Sequence, residues 1–179
     1  MSKKRLATVW LGGCSGCHMS LLDLDERLLE IAKLADIVKS PLVDAKEFPE
    51  CDVALVEGGI TNADQVHEIQ VIRQRTRFLV AFGDCAVTGN VLELRMRFSK
   101  EECLARSYIE AQSNVAGRIP ADPDLARLIE RWGPLHEHVR VDYFLPGCPP
   151  SPDLIFHVVS ELLQDRTPDL DLGGKAHYG

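Results

Sequence analysis

The sequence has few aromatic residues and no long apolar run. Aromatic residues make up 6% of its 179 residues, and no apolar stretch reaches the roughly 20 residues that a membrane-spanning helix needs. The N-terminal stretch lacks the apolar segment and the small-residue cleavage site of a secretory signal. We therefore expect a cytoplasmic protein without a membrane partner. The formal net charge of −7 argues against a general nucleic-acid binder. The length predicts a single domain over residues 1–168, followed by a short tail, 169–179.

The six cysteines do not follow the pattern of a disulfide framework. In a cytoplasmic chain, cysteines more often serve metal or redox chemistry than structural disulfides. Cys14 and Cys17 form a C-x-x-C pair, and the usual structural zinc site has two such pairs. The pair follows an apolar run and Gly12-Gly13, and it precedes a helical pattern. Backbone N–H groups at that helix N-terminus are expected to favour the thiolate.

Alternating strand and helix patterns predict an α/β fold. Five short runs, apolar on both faces, are typical of parallel strands covered by helices. This alternation indicates a doubly wound sheet, and about five strands favour the flavodoxin-like order 2-1-3-4-5. The connection at 86–138 is too long for a simple crossover and is expected to carry binding function. The predicted strands are 6–11, 36–43, 52–57, 77–82 and 139–145. The predicted helices are 18–34, 62–74, 99–112, 123–132 and 152–164.

Two further cysteines come directly after predicted strands. Cys85 lies in FGDC, past 77–82, and Cys148 lies in PGCPP, past 139–145. Because the carboxyl ends of parallel strands meet at one edge, both should join the C-x-x-C pair there. Strands 1 and 5 stand roughly 14 Å apart in this order, at about 4.7 Å per spacing, so the proline-rich loop must reach back over strand 4. The favoured interpretation is a Cys-ligated [4Fe–4S] cluster. Scattered buried cysteines, a zinc site and a thioredoxin-like dithiol remain alternatives.

The sequence also suggests roles for two residues beside the four cysteines and for the two cysteines that lie elsewhere. Glu57 ends the third strand at the same edge, where a carboxylate could relay protons or contact a partner; a carboxylate at a helix N-terminus or in a turn is an equally weighted alternative. For His18 we favour a partner contact or a surface position over a hydrogen bond to a cluster sulfur. Cys51 precedes its strand and Cys103 lies within a predicted helix, so both are expected to be small buried residues. The GGCSGC loop carries thiols where a flavodoxin has its phosphate cradle, so no flavin is expected in this chain.

Four segments together resemble a known family. WLGGCSGCHMSLLD, VEGGI, FGDCAVTGN and PGCPPSPD are similar to the small subunit of nickel–iron hydrogenases, in particular the short small subunit of the cytoplasmic NAD-reducing type. The resemblance spans about residues 6–160. It implies a flavodoxin-like fold and a large subunit that holds the nickel–iron site. It also implies a proximal [4Fe–4S] cluster bound by Cys14, Cys17, Cys85 and Cys148.

The resemblance also implies a role within a larger enzyme, a hydrogen:NAD oxidoreductase. This chain would pass electrons between the nickel–iron site and a flavin/iron–sulfur diaphorase that carries FMN, further clusters and the NAD site. One alternative is a complex I-like quinone-oxidoreductase cluster subunit. That family typically has adjacent cysteines in its first motif, whereas Cys14 and Cys17 here are separated by two residues. The other alternative is a thioredoxin-like thiol oxidoreductase.

Overall fold

A computed structural model describes residues 3–170. Its central sheet has five parallel strands in the order β2-β1-β3-β5-β7, which is the predicted flavodoxin-like order 2-1-3-4-5. A separate pair, β4 and β6, is antiparallel. The strands are β1 (Lys4–Trp10), β2 (Ala35–Lys39), β3 (Cys51–Glu57), β4 (Ile60–Asn62), β5 (Thr76–Phe82), β6 (Leu128–Gly133) and β7 (Tyr143–Leu145).

Three of the helices begin at a residue whose side chain caps them. The Asn62 side chain accepts a hydrogen bond from the Gln65 N–H, Ser151 caps the last helix, and Ser99 forms a capping box with Glu102. The α-helices are α1 (Gly16–Leu22), α2 (Arg27–Leu34), α3 (Ala63–Gln74), α4 (Asp84–Val87), α5 (Lys100–Tyr108) and α6 (Pro152–Leu163). Two 3₁₀ helices span Asn90–Arg97 and Leu135–Glu137.

The core consists of two apolar layers, one on each face of the central sheet. Along β3, Leu55 belongs to the layer under α1, α2 and α6, whereas the next residue, Val56, belongs to the layer under α3. On β5, Phe82 belongs to the first of these layers and Ala81 to the second. Successive side chains of a strand point to opposite faces, so a strand that is buried on both faces has no polar alternation. This is why the central strands are continuous apolar runs in the sequence.

The predicted helix at 123–132 is wrong. Its C-terminal half is strand β6, which pairs with β4 from Ile60–Gly133 to Asn62–Leu128. Apolar residues at 125, 128, 129 and 132 fit a helical spacing. The antiparallel pairing shows that the segment instead supplies backbone hydrogen bonds to the short strand β4, and the middle of β6 is exposed. Tertiary pairing outweighs local propensity in such a short amphipathic run.

Several predicted boundaries also differ from the structure. The helix predicted at 18–34 is divided into α1 and α2 by a turn in which Asp25 has φ +50°. The strand predicted at 36–43 ends at Lys39, before Pro41, and the last strand has only three residues. The helix predicted at 99–112 ends at Tyr108. Most of the predicted tail, residues 171–179, lies outside the described residues, and the single-domain boundary at 168 stays a prediction.

Candidate functional site

The loops after β1, β5 and β7 bring four cysteines to the carboxyl edge of the sheet. Cys14 lies between β1 and α1, and Cys17 lies in the first turn of α1. Cys85 lies in α4, directly after β5, and Cys148 lies between β7 and α6. All six cysteines of the chain are free thiols. Three separate strand ends therefore present four unpaired thiols on one side of the molecule.

The other three thiols and Glu57 lie near enough to Cys17 to affect its pKa. Burial raises the pKa of the Cys17 thiol well above its usual range, and repulsion from Glu57 and from the other three thiols raises it further. The expectation that the helix N-terminus would favour the thiolate of Cys17 is therefore wrong. The side chain is only 8% exposed, and desolvation of a buried thiolate outweighs the favourable field of the short helix α1.

Cys85 has the same environment in a milder form. Burial raises its pKa to about 11, with repulsion from Cys14 and Cys148 as the next causes. A thiol must lose its proton to bind a metal. Buried thiols that repel one another therefore become ligands only when a positively charged centre offsets two costs. These are the desolvation of each thiolate and the repulsion between the thiolates. The set is thus suited to a metal centre and poorly suited to a free reactive thiolate.

Glycine is required where the loops approach the thiols. Gly83 has φ +84°, and a Cβ placed there would lie 2.1 Å from the Cys17 sulfur. A Cβ placed at Gly16 would lie 3.3 Å from the Cys14 sulfur. The space beside two of the four sulfurs exists because these residues have no side chain.

A buried carboxylate joins the loops that carry Cys85 and Cys148. Asp84 Oδ1 accepts a hydrogen bond from the Gly147 N–H at 2.7 Å, and the Asp84 N–H donates to the Gly147 carbonyl at 3.0 Å. Each partner directly precedes a thiol in the sequence. Asp84 was not predicted as a site residue. Its position between a glycine and a cysteine after a buried strand was the available signal.

The proline-rich loop reaches back toward α1, as the strand order requires. The Ser20 hydroxyl of α1 donates to the Pro150 carbonyl at 2.6 Å, in a buried contact. The loop also contains a cis peptide bond between Cys148 and Pro149. Through the contact with Ser20, the loop after β7 is attached to the element that carries Cys17.

Two N–H groups point at sulfur atoms of the set. The Gly16 backbone N–H lies 3.4 Å from Cys14 Sγ, and Asn90 Nδ2 lies 3.4 Å from Cys148 Sγ. Asn90 follows Gly89 in the motif FGDCAVTGN and was not predicted as a site residue. Local spacing gave no indication of it, because its partner sulfur is 58 residues away in the chain.

Glu57 lies at the carboxyl edge of the sheet, as predicted, and the residue is only 1% exposed. Oε2 accepts a hydrogen bond from the His18 backbone N–H at 2.9 Å and pairs with His18 Nδ1 at 2.5 Å. The other ring nitrogen, Nε2, is buried and has no hydrogen-bond partner among residues 3–170. Glu57 thus holds both the backbone and the ring of the residue that follows Cys17.

The two remaining cysteines lie away from the four-thiol set. Cys51 begins β3 at the opposite edge of the sheet and is buried, with its sulfur 3.4 Å from Thr76 Oγ1, as expected. Cys103 was also expected to be buried. That expectation is wrong, because Cys103 lies on α5 and is partly exposed.

Four cysteine thiols are the donor set that iron–sulfur clusters use. Within residues 3–170 no group of three or more His, Cys, Asp or Glu side chains could hold a metal ion. The glycine-lined space and the N–H groups directed at sulfur are compatible with such a cluster.

Comparison with known proteins places the chain in a family. Residues 14–162 match the family described as the NADH ubiquinone oxidoreductase 20 kDa subunit. The chain belongs to this family of oxidoreductase-complex subunits. It is 39% identical to the delta subunit of the NAD-reducing hydrogenase HoxS of Cupriavidus necator, over 94% of this chain and 82% of that protein.

Archaeal relatives are longer than this chain. A subunit of the F420-non-reducing hydrogenase of Methanothermobacter marburgensis is 40% identical, over 94% of this chain but only 56% of that protein. Among solved structures, one chain of the NAD⁺-reducing [NiFe]-hydrogenase in the H₂-reduced state is 41% identical. It has a TM-score of 0.95 and covers 99% of this chain and 100% of that one. The resemblance to the hydrogenase small subunit of the NAD-reducing type is confirmed.

A more distant structure shows the shared fold alone. The [NiFeSe] hydrogenase of Desulfovibrio vulgaris Hildenborough has a chain that is 17% identical with a TM-score of 0.56. In the part of the chain that the structure describes, no helix has the length and apolar character needed to cross a bilayer.

Proposed function

We propose that this chain is the electron-transfer small subunit of an NAD-reducing nickel–iron hydrogenase. Cys14, Cys17, Cys85 and Cys148 hold one proximal [4Fe–4S] cluster in this proposal. The cluster stands between the nickel–iron site of a large subunit and a flavin/NAD module. The observation that carries the proposal is the meeting of four free, mutually repelling thiols at one sheet edge. A cluster of this type supplies one-electron transfer.

The residues of this chain hold the ligands in place and limit access of water. Gly83 leaves room for the Cys17 sulfur, and Asp84 connects the loops of Cys85 and Cys148. Burial of Cys17 and Glu57 keeps the inner side of the site away from solvent. Exclusion of water and hydrogen bonds to sulfur are the means by which a protein adjusts the potential of such a centre.

Exposed apolar side chains are evidence for a partner that covers them. Five apolar residues of the long connection at 86–138 are at least half exposed: Val91, Leu94, Phe98, Val115 and Leu125. Near the thiols, Met19 of α1 is 56% exposed. Large exposed apolar patches mark protein–protein interfaces, so we assign these side chains to the contact with a large subunit. Without the large subunit, the chain should be poorly soluble or lose its cluster, and a stable, oxygen-resistant, cluster-loaded monomer would contradict this.

The proposal assigns NAD chemistry to a second partner in the cytoplasm. Hydride transfer to NAD through a cluster relay uses a flavin, which converts single electrons into pairs. This chain has no G-x-G-x-x-G fingerprint in its sequence. We therefore place FMN, further iron–sulfur clusters and the NAD site in diaphorase subunits. The relative in Cupriavidus necator is named as a subunit of an NAD-reducing hydrogenase.

Hydrogen-dependent NAD reduction by the purified complex tests the proposal. A heterodimer of this chain and the large subunit should reduce an artificial dye with hydrogen but should not reduce NAD. The same heterodimer with serine at Cys148 should lose dye reduction. If the unmodified heterodimer reduced NAD without other subunits, the assignment of this chain to a single relay step would be wrong.

Two alternatives give different results in the same preparation. A thiol–disulfide oxidoreductase would contain no iron or sulfide after anaerobic purification. The raised pKa of Cys17 argues against it, because a reactive C-x-x-C thiol has a lowered pKa. A complex I-like subunit would contain the cluster but would copurify with quinone-reducing subunits instead of a nickel-containing chain.

The role of Glu57 as a proton relay stays a prediction. Its carboxylate lies at the thiol edge and contacts the His18 ring. Glu57→Gln keeps the size and hydrogen-bonding capacity of the side chain but removes its charge. If Glu57 relays protons, this variant should turn over hydrogen more slowly while its iron content stays unchanged. Unchanged turnover would favour the alternative of a structural turn carboxylate.

A further inference from the structure

Asn90 contacts one of the four thiols through a side chain that does not ionise. Its Nδ2 group lies 3.4 Å from Cys148 Sγ. Gly16 gives Cys14 a similar donor through its backbone. Within residues 3–170, a single substitution at Asn90 can remove a side-chain N–H donor from a sulfur of the set without altering a ligand.

The backbone before the contact adopts a conformation that suits asparagine. The Thr88 hydroxyl donates to the Asp84 carbonyl at 3.1 Å as α4 ends. Gly89 then has φ +88° and Asn90 has φ +42°. Asparagine is enriched severalfold among non-glycine residues with positive φ. The turn thus supplies both the backbone geometry and the amide that reaches Cys148.

We propose that Asn90 raises the reduction potential of the proximal cluster by donating a hydrogen bond to Cys148. The inference rests on the proposed function. Reduction adds one electron, supplied by hydrogen oxidation in the large subunit, and neither forms nor breaks a bond at this site. The added negative charge is shared with the sulfur ligands, so an N–H donor stabilises the reduced form more than the oxidised form. The amide is neutral, so its contribution should not depend on pH.

Two substitutions separate the donor from the shape of the side chain. Asn90→Gly accepts the positive φ and removes the amide. Asn90→Asp keeps the shape, replaces the donor with an acceptor and adds a negative charge. Asn114→Gly is the matched control, because Asn114 is exposed and its amide donates to the Ser107 carbonyl, away from the thiols.

The experiment is a redox titration of the complete complex, followed by electron paramagnetic resonance, with iron content measured on each sample. Asn90→Gly should lower the ratio of reduced to oxidised cluster at a fixed potential about threefold, which is about 30 mV at 59 mV per tenfold change. Asn90→Asp should lower it further. Asn114→Gly should leave the midpoint unchanged.

The possible failures are distinguishable. A wild-type complex in which this chain carries no cluster would overturn the proposed function itself. Equal midpoints in wild type, Asn90→Gly and Asn90→Asp, all with full iron content, would overturn the tuning role alone. If Asn90→Gly lost iron, Asn90→Asp would still measure the potential. Loss of iron from both variants would show that Asn90 supports the loop instead of adjusting the potential.

Discussion

The two edges of the central sheet use opposite kinds of interaction. At the amino edge, charged pairs join the strand starts: Arg73 contacts Asp142 at 2.5 Å, and Asp165 contacts both Lys4 and Arg77. At the carboxyl edge, four thiols are held by glycine turns and by hydrogen bonds between backbone and buried side chains. The first edge closes the fold with charged pairs, whereas the second gathers thiols, two of which receive an N–H group from Gly16 and Asn90.

The same residue type therefore has different roles at the two edges. Cys51, at the start of β3, packs into the core against Thr76. Cys85, directly after β5, faces other thiols. Position relative to the direction of the strand distinguishes a packing cysteine from a candidate ligand. Substitutions at each edge test this distinction.

The largest expected effect is loss of the cluster from a carboxyl-edge cysteine variant. Serine at Cys14, Cys17, Cys85 or Cys148 should abolish or convert the cluster, because its hydroxyl is a poor replacement for a thiolate. Cys51→Ser is the amino-edge control and should leave iron and sulfide content unchanged. If Cys51→Ser lost iron and Cys148→Ser retained it, a ligand would lie at the amino edge and the distinction between the edges would be wrong.

A methyl group at Gly83 should disturb the site next most strongly. Gly83→Ala forces alanine into φ +84° and ψ 162°, a region that essentially only glycine occupies, at a cost of roughly 1–3 kcal/mol, and its Cβ collides with the Cys17 sulfur. The sulfur must rotate away from the other thiols, so cluster occupancy should fall together with the melting temperature.

Gly16→Ala should have a smaller effect than Gly83→Ala, because its Cβ would lie 3.3 Å from Cys14 Sγ and the φ of Gly16 is not positive. It should retain more iron than Gly83→Ala. Equal iron content in the two variants would indicate that the Cys17 sulfur does not need the space beside Gly83.

Removal of the Asp84 carboxylate should have an intermediate effect. Asp84→Ala leaves the buried Gly147 N–H without its acceptor, a loss of about 1–3 kcal/mol, and loosens the loops of Cys85 and Cys148. Asp84→Asn still offers an oxygen to that N–H and should restore most of the iron content. Thermal unfolding and iron analysis measure the two effects, and an equally large loss in both variants would mean that the negative charge matters more than the hydrogen bond.

The smallest effect is expected at the amino edge. Hydrogen bonds from Lys4 and Arg77 hold the pKa of Asp165 below its ordinary value of 3.8. A lowered pKa stabilises the folded protein above pH 3.8, and this contribution is lost as the pH falls through the lower folded value. Asp165→Asn should therefore unfold slightly more readily than wild type at neutral pH, and the difference should vanish in strong acid.

Salt checks the origin of this effect. The pairs of Asp165 are exposed, so added salt should reduce the difference between wild type and Asp165→Asn at neutral pH. A difference that persists at high salt would indicate a packing role for Asp165.

Some of this architecture could be predicted because its causes are local. The strand predicted at 52–57 is apolar at nearly every position, as required of a strand covered on both faces. Caps at Asn62, Ser99 and Ser151 depend on hydrogen bonds three residues away, so they are visible in short segments. The segment at 123–132 was misassigned because its partner β4 is more than 60 residues away.

The sequence by itself determined the alternation of strands and helices, the strand order and the placement of Cys14, Cys17, Cys85 and Cys148 after strand ends. These features follow from hydrophobic periodicity and from the common direction of parallel strands. Only the tertiary structure decided that Asp84 joins two thiol loops and that Asn90 reaches Cys148. It also decided that burial outweighs the helix N-terminus at Cys17. These outcomes depend on contacts between distant segments, for which local sequence patterns carry no signal.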